Sequence, residues 1–230
     1  MNVPDPRRTV EDGYDRIAER HAAWALETRT EERARSAAVL LDRLPEGAEV
    51  LELGCGAGGP TTRALAARFR LTGVDISARS VELARQAVPG ARFLHADMTR
   101  LELPAECMDG VAGFYSIIHV PRDEHAELFA RIATWLRPGG VLVAALGAQD
   151  TAAGYEPDWL GAPMYWSGYH APIAQGVVAA AGLQLERAVV ETADEDGQPV
   201  SFLWVVARKP AGEPPGERHA GYAHPAPRRA

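Results

Sequence analysis

The stretch Val50-Leu51-Glu52-Leu53-Gly54-Cys55-Gly56-Ala57-Gly58-Gly59 decides the fold. A short apolar run feeds a cluster of four glycines, and a helix-forming segment follows at residues 61–69. Glycine is needed where the backbone takes positive φ or where a ligand comes close to the main chain. A strand that ends in such a turn and leads into a helix opens a doubly wound α/β sheet, with its ligand at the helix N-terminus.

Outward from the turn, strand and helix alternate. Residues 48–53, 71–75, 91–95, 110–115 and 141–146 read as five strands. Helices are predicted at 61–69, at 77–88 with Ser77 as the N-cap, and at 123–136. This alternation argues for a parallel sheet covered on both faces. Residues 147–169 break the rhythm with Gly, Pro and aromatics. A helix at 173–181 and two strand-like runs at 183–192 and 200–207, forming an antiparallel hairpin, complete the pattern. Residues 1–9 read as a loose start, and 10–44 as amphipathic helices. The predicted organisation is an N-terminal helical cap or lid over 1–44, a core over 45–209 and a disordered tail over 210–230.

Composition narrows the function. Lys and Arg number 24 against 31 Asp and Glu, a net charge of −7. That opposes a broad nucleic-acid or membrane-surface footprint. The two cysteines, Cys55 and Cys107, give neither a disulfide framework nor a Cys-rich zinc site. No stretch is long enough to span a bilayer, and the N-terminus lacks a signal-type apolar run. A cytoplasmic protein working as a monomer or homodimer, with no nucleic-acid or membrane partner and no metal, is the expectation.

The glycine loop alone allows two ligands. Gly54, Gly56 and Gly59 fit the G-x-G-x-x-G of dinucleotide binders. Gly54, Gly56 and Gly58 fit the tighter G-x-G-x-G of adenosylmethionine binders. Three acidic positions favour the second. Glu52 would repel a pyrophosphate but suits the cationic amino end of a methionine moiety. Asp75 ends the second strand, where a carboxylate can accept both ribose hydroxyls of either ligand. Asp97, just after the third strand, can accept from an adenine amino group, and Met98 can pack on the ring.

In order and spacing, VLELGCGAGG, GVDIS, ARFLHADM, DGVAGFYSIIHVP and LRPGGVLV across residues 48–146 resemble the successive motifs of class I S-adenosylmethionine-dependent methyltransferases. YDRIAERHAAW, from Tyr14, resembles the N-terminal lid of small-molecule members, with His21 where some relatives carry another aromatic. The resemblance implies a Rossmann-like three-layer α/β sandwich with a seven-stranded, mostly parallel sheet, its last strand antiparallel, and an N-terminal helical cap. It implies S-adenosyl-L-methionine as cofactor and S-adenosyl-L-homocysteine as product. It also implies that Tyr115 and Ser116 border the reaction centre. The full cofactor set is then Tyr14, Glu52, Gly54, Cys55, Gly56, Gly58, Asp75, Ile76, Asp97, Met98, Tyr115 and Ser116.

Methyl transfer needs alignment, exclusion of water and, for a protonated acceptor, a base. His119 in YSIIHVP is the first base candidate, the alternative being that it braces its loop; His170 is the second. His125 is predicted on the exposed face of its helix. The acceptor wall is assigned to Tyr165, Trp166 and Tyr169, with Tyr14 and Tyr115 also facing the acceptor and Trp24 as a lid or packing residue. The acceptor is expected to be a small molecule, a bacterial secondary metabolite among the candidates, methylated on oxygen or nitrogen. Competing readings are a cyclase or pericyclic catalyst on the same scaffold, a nicotinamide-dependent oxidoreductase and a non-catalytic binding protein.

Overall fold

A computed structural model describes residues 5–195 and 197–211. The chain opens with two helices, α1 (Pro6–Glu27) and α2 (Thr30–Arg43). The core then runs β1 (Glu49–Leu53), α3 (Pro60–Arg68), β2 (Arg70–Asp75), α4 (Ala78–Ala87), β3 (Arg92–His95), β4 (Met108–Gly113), α5 (His125–Trp135) and β5 (Leu136–Gly147). It closes with β6 (Thr151–Trp159), β7 (Ala162–Gly168), α6 (Ala171–Ala180), β8 (Gln184–Glu195) and β9 (Gln198–Arg208).

Seven strands form one sheet in the order β3-β2-β1-β4-β5-β9-β8. β1 to β5 are parallel, and β9 inserts antiparallel between β5 and β8. The expected sheet and its reversed last strand are therefore present. Alternate residues of each strand fill the two faces. Leu51, Val111, Leu142 and Leu203 pack with Leu128, Phe129 and Ile132 of α5 and Val178 of α6. On the other face Val50, Ala112, Val143 and Trp204 pack with Leu40 of α2 and Leu65 of α3. These clusters make the three layers. The strand order reverses between β1 and β4, which opens a crevice at their carboxyl ends.

Several local readings change. The chain is already helical within residues 1–9, because Asp5 accepts from the Arg7 amide at 3.0 Å and Pro6 pre-sets the first helical φ. The fourth strand ends at Gly113 rather than 115, since Tyr115 takes a left-handed φ of 60° and a 3-10 turn follows at Ile117–His119. Residues 147–169, read as an aperiodic wall, contain the separate two-stranded sheet of β6 and β7. Its pairing is interrupted at two points, which blurs the alternation a strand would show in sequence. His125 is buried, not exposed, and its Nε2 meets the Val120 carbonyl at 3.0 Å. The tail expected at 210–230 lies from residue 212 onward outside the described residues.

Candidate active site

The crevice is a cavity of about 870 Å³ running from the glycine loop to the underside of α1, α2 and the β6–β7 hairpin. The end at the glycine loop is built by the ends of β1, β2 and β3. Gly54 has φ 73°, and a β-carbon there would collide with the Ser116 side chain. Gly56 has φ 53° but faces open space, so its missing side chain leaves room in the cavity rather than in the core. Gly58 packs on Ala84 of α4, whereas Gly59 meets nothing. The close-packing glycine is thus the third of G-x-G-x-G, not of G-x-G-x-x-G.

The carboxylates lie around this loop. Asp75 Oδ2 accepts from the Gly56 amide at 2.8 Å and Oδ1 from the Ser77 amide at 2.9 Å. Each oxygen can accept a further hydrogen bond, and the residue lines the cavity. Burial raises the Asp75 carboxyl above its ordinary range, against those two amide bonds. Glu52 is buried; its Oε1 accepts from Thr62 Oγ1 at 3.1 Å, and its Oε2 has no partner among the described residues. Burial pushes its carboxyl up to about 8. Asp97 caps the turn at Met98–Arg100: Oδ1 accepts from the Thr99 amide at 2.8 Å. Its Oδ2 is held by Arg7 Nε of α1, also at 2.8 Å. The capping role and a cavity-lining position therefore coexist at Asp97.

Toward the other end, Tyr14 Oη and His119 Nε2 stand 2.8 Å apart, and His119 Nδ1 stands 2.8 Å from the Tyr165 carbonyl. A carbonyl only accepts, so Nδ1 carries the proton and Nε2 accepts from the Tyr14 phenol. Burial lowers His119 to about 4 and keeps it neutral. Burial and the charge of Asp75 raise the Tyr14 phenol, which stays protonated.

Every residue of the predicted cofactor set lines the cavity. The predicted acceptor set does not hold together as well. Trp166 lines it, its ring 4.6 Å from His119. Tyr165 points the other way, buried beside Tyr155 at 5.0 Å, because neighbouring residues of a strand face opposite sides. Tyr169 is drawn off by Arg122, 5.0 Å from its ring. His170 is exposed at the start of α6, outside the cavity lining. Trp24, left between lid and packing, does line the cavity, together with two residues the sequence reading did not assign to it, His21 and Trp159. His21 stacks 5.9 Å from Trp24 and lies 5.7 Å from Trp159. Arg29 and Arg33 line the same part and were also missed.

Residues 50–140 match the family profile described as methyltransferase domain. Trans-aconitate 2-methyltransferase of Azoarcus sp. (strain BH72) is 39% identical over 117 residues, 49% of this chain and 45% of the relative. The chain thus spans about half the length of the curated relatives it matches. Among solved structures, the 1,6-didemethyltoxoflavin-N1-methyltransferase of Burkholderia thailandensis, with S-adenosylhomocysteine bound, aligns with TM-score 0.64 at 19% identity over 91% of this chain and 92% of its own. The cyclase SpnF aligns with TM-score 0.69 at 17% identity over 92% of this chain and 98% of its own. At such identities these two report the fold.

The residues present fit the family's cofactor, S-adenosylmethionine. The unpartnered Glu52 Oε2 suits an ammonium group, the open side of Gly56 leaves space along the loop, and the carboxylates of Asp75 and Asp97 line the same cavity. Motif order, sheet topology and the profile match over residues 50–140 all point the same way: in this stretch the chain resembles the class I S-adenosylmethionine-dependent methyltransferases.

Proposed function

We propose that the protein transfers the methyl group of S-adenosylmethionine to an oxygen or nitrogen atom of a small molecule. The observation that carries this reading is the continuity of one cavity from the glycine loop to the Tyr14–His119 pair and the tryptophans beyond it.

When bound, the cofactor supplies a methyl carbon made electrophilic by its sulfonium. The chain's own contribution is to place the acceptor behind that carbon and to keep water out. With the cofactor bound, the acceptor's lone pair would form the new bond to that carbon and the carbon–sulfur pair would return to sulfur. Tyr14 and His119 then take any proton the acceptor loses: the phenol oxygen receives it while the phenol proton passes to Nε2. His119 is a weak base, but a proton on an atom already bonding to the methyl carbon is strongly acidic, so a weak base suffices. Trp24, Trp159 and Trp166 provide flat apolar surface for the acceptor.

The relatives' name makes trans-aconitate the first acceptor to try. The test is incubation with methyl-labelled S-adenosylmethionine and an acceptor panel, with both products quantified. Methylated acceptor and S-adenosylhomocysteine in equal amounts support the reading; product without cofactor consumption would point to another chemistry on this fold. Calorimetry showing no heat with S-adenosylhomocysteine ends it.

A further inference from the structure

Two arginines on the acceptor side are not explained by cofactor binding or by methyl transfer. Arg29 begins α2 in left-handed backbone, φ 54°, and its side chain is 2% exposed. Nε pairs with Glu195, and Nη2 donates to the Val200 carbonyl at 2.9 Å, which ties the helix to the β8–β9 hairpin. Its Nη1 is buried with no hydrogen-bond partner among the described residues, although the residue lines the cavity. Arg33, one turn on, is half-buried and lines the cavity too. Its Nη1 donates to the carbonyls of Ala25 at 3.0 Å and Thr28 at 2.6 Å. Among the described residues, Nε and Nη2 of Arg33 bond to nothing, and no carboxylate lies within ion-pairing distance.

Both guanidinium groups sit over the Tyr115 ring, at 5.7 Å for Arg29 and 4.9 Å for Arg33. The charge of Arg33 is felt by Tyr14, His21 and Tyr115, which places it beside the Tyr14–His119 pair rather than at the adenine end. Glu195 pairs directly with Arg29 and its charge also reaches Arg33, so one carboxylate serves two cations. A desolvated cation without a counter-ion is unfavourable unless something arrives to pair with it. A guanidinium fork matches a carboxylate in shape and charge. The surrounding tryptophan faces favour a flat body beside the carboxylate.

We infer that the acceptor is a small carboxylic acid with an unsaturated or aromatic body, its carboxylate received by Nε and Nη2 of Arg33 and by Nη1 of Arg29. This rests on the methyl-transfer reading and narrows its substrate class. Arg29 and Arg33 are then specificity-determining residues, and the charge left unpaired in the cavity belongs to the ligand.

The test uses the full chain saturated with S-adenosylhomocysteine and follows tryptophan fluorescence as matched probes are added: benzoate against benzamide, trans-cinnamate against cinnamamide, and phenyl phosphate. At least one acid should bind tenfold or more tightly than its amide. R33M should equalise the pair while leaving S-adenosylhomocysteine affinity unchanged, and R33K should keep part of the preference, which separates lost recognition from lost folding. Equal binding of acids and amides, a preference that survives R33M, or phenyl phosphate as the tightest probe overturns the inference. Failure of S-adenosylhomocysteine itself to bind overturns the underlying methyl-transfer reading, whereas cofactor binding without acid preference overturns the carboxylate assignment alone.

Discussion

The phenol of Tyr14 donates to Nε2 of His119 across 2.8 Å, joining the first helix to the turn after β4. The imidazole is fixed from its other side by the Tyr165 carbonyl. Neither ring can rotate without losing a buried hydrogen bond, so the pair is preorganised.

If this pair receives the acceptor's proton, H119A and H119Q should lower turnover at least tenfold with S-adenosylhomocysteine affinity nearly unchanged. Y14F should lower turnover by a similar factor, since it removes the group between acceptor and imidazole. The measurement is initial rate alongside calorimetry. Turnover unchanged in either variant would leave the pair a structural brace.

Acid should weaken the fold through His119. Its folded value, about 4, lies below the ordinary value of 6.5. The unfolded chain therefore binds more protons between those two pH values, and stability contributed above pH 6.5 is lost as pH falls toward 4. A shift of this size corresponds to at most about 3 kcal/mol. Glu52 opposes the trend, because its raised carboxyl favours the fold at low pH. The clean readout is the difference between wild type and H119Q in chemical denaturation: the wild type should lose more stability from pH 7 to 4.5. Parallel curves would show that His119 is not held neutral by burial.

Cofactor affinity should rise with pH because of Glu52. Burial holds its carboxyl near 8, so it is mostly protonated at neutral pH. An ammonium group beside Oε2 favours the carboxylate, so binding releases a proton and strengthens between pH 6 and 8. Calorimetry in buffers of different ionisation enthalpy counts that proton. E52Q should remove the pH dependence and weaken S-adenosylhomocysteine by roughly tenfold, the scale of one lost charge-assisted hydrogen bond.

Two glycines in one loop should fail differently. G54A forces a methyl group against the Ser116 side chain at positive φ, so the protein should lose stability or expression. G56A pays only the left-handed backbone cost of about 1 kcal/mol, because nothing surrounds its side-chain position. It should fold, with a melting temperature within a few degrees of wild type, yet bind S-adenosylhomocysteine much more weakly. Full binding in G56A would mean that the loop does not meet the ligand.

The sheet was legible because its determinants are local in sequence. Val50 to Gly59 carries a strand, a turn and a helix start in one stretch, and Ser77 caps α4 as read, its hydroxyl accepting from the Ser80 amide at 3.0 Å. The positions of Asp75 and Asp97 followed from where their strands end. The acceptor side was less legible because long-range contacts build it. Tyr165 and Trp166 are adjacent, but only the strand's facing puts one in the cavity. Arg29 and Arg33 lie in a stretch read only as amphipathic helix, and it is the β8–β9 hairpin packing against α2 that buries Arg29. His125 read as solvent-facing because nothing in its own helix reveals the Val120 carbonyl behind it.

The first helix has one further consequence. Arg7 latches onto Asp97, Asp15 accepts from the Ser77 hydroxyl at 2.6 Å, Tyr14 meets His119, and Arg20 reaches the Leu160 carbonyl. These four fasteners hold one rod against the cavity wall. On the methyl-transfer reading, that rod would have to lift before spent nucleoside and finished product could leave, and the pace of the full cycle would then answer to solvent viscosity as well as to bond-making.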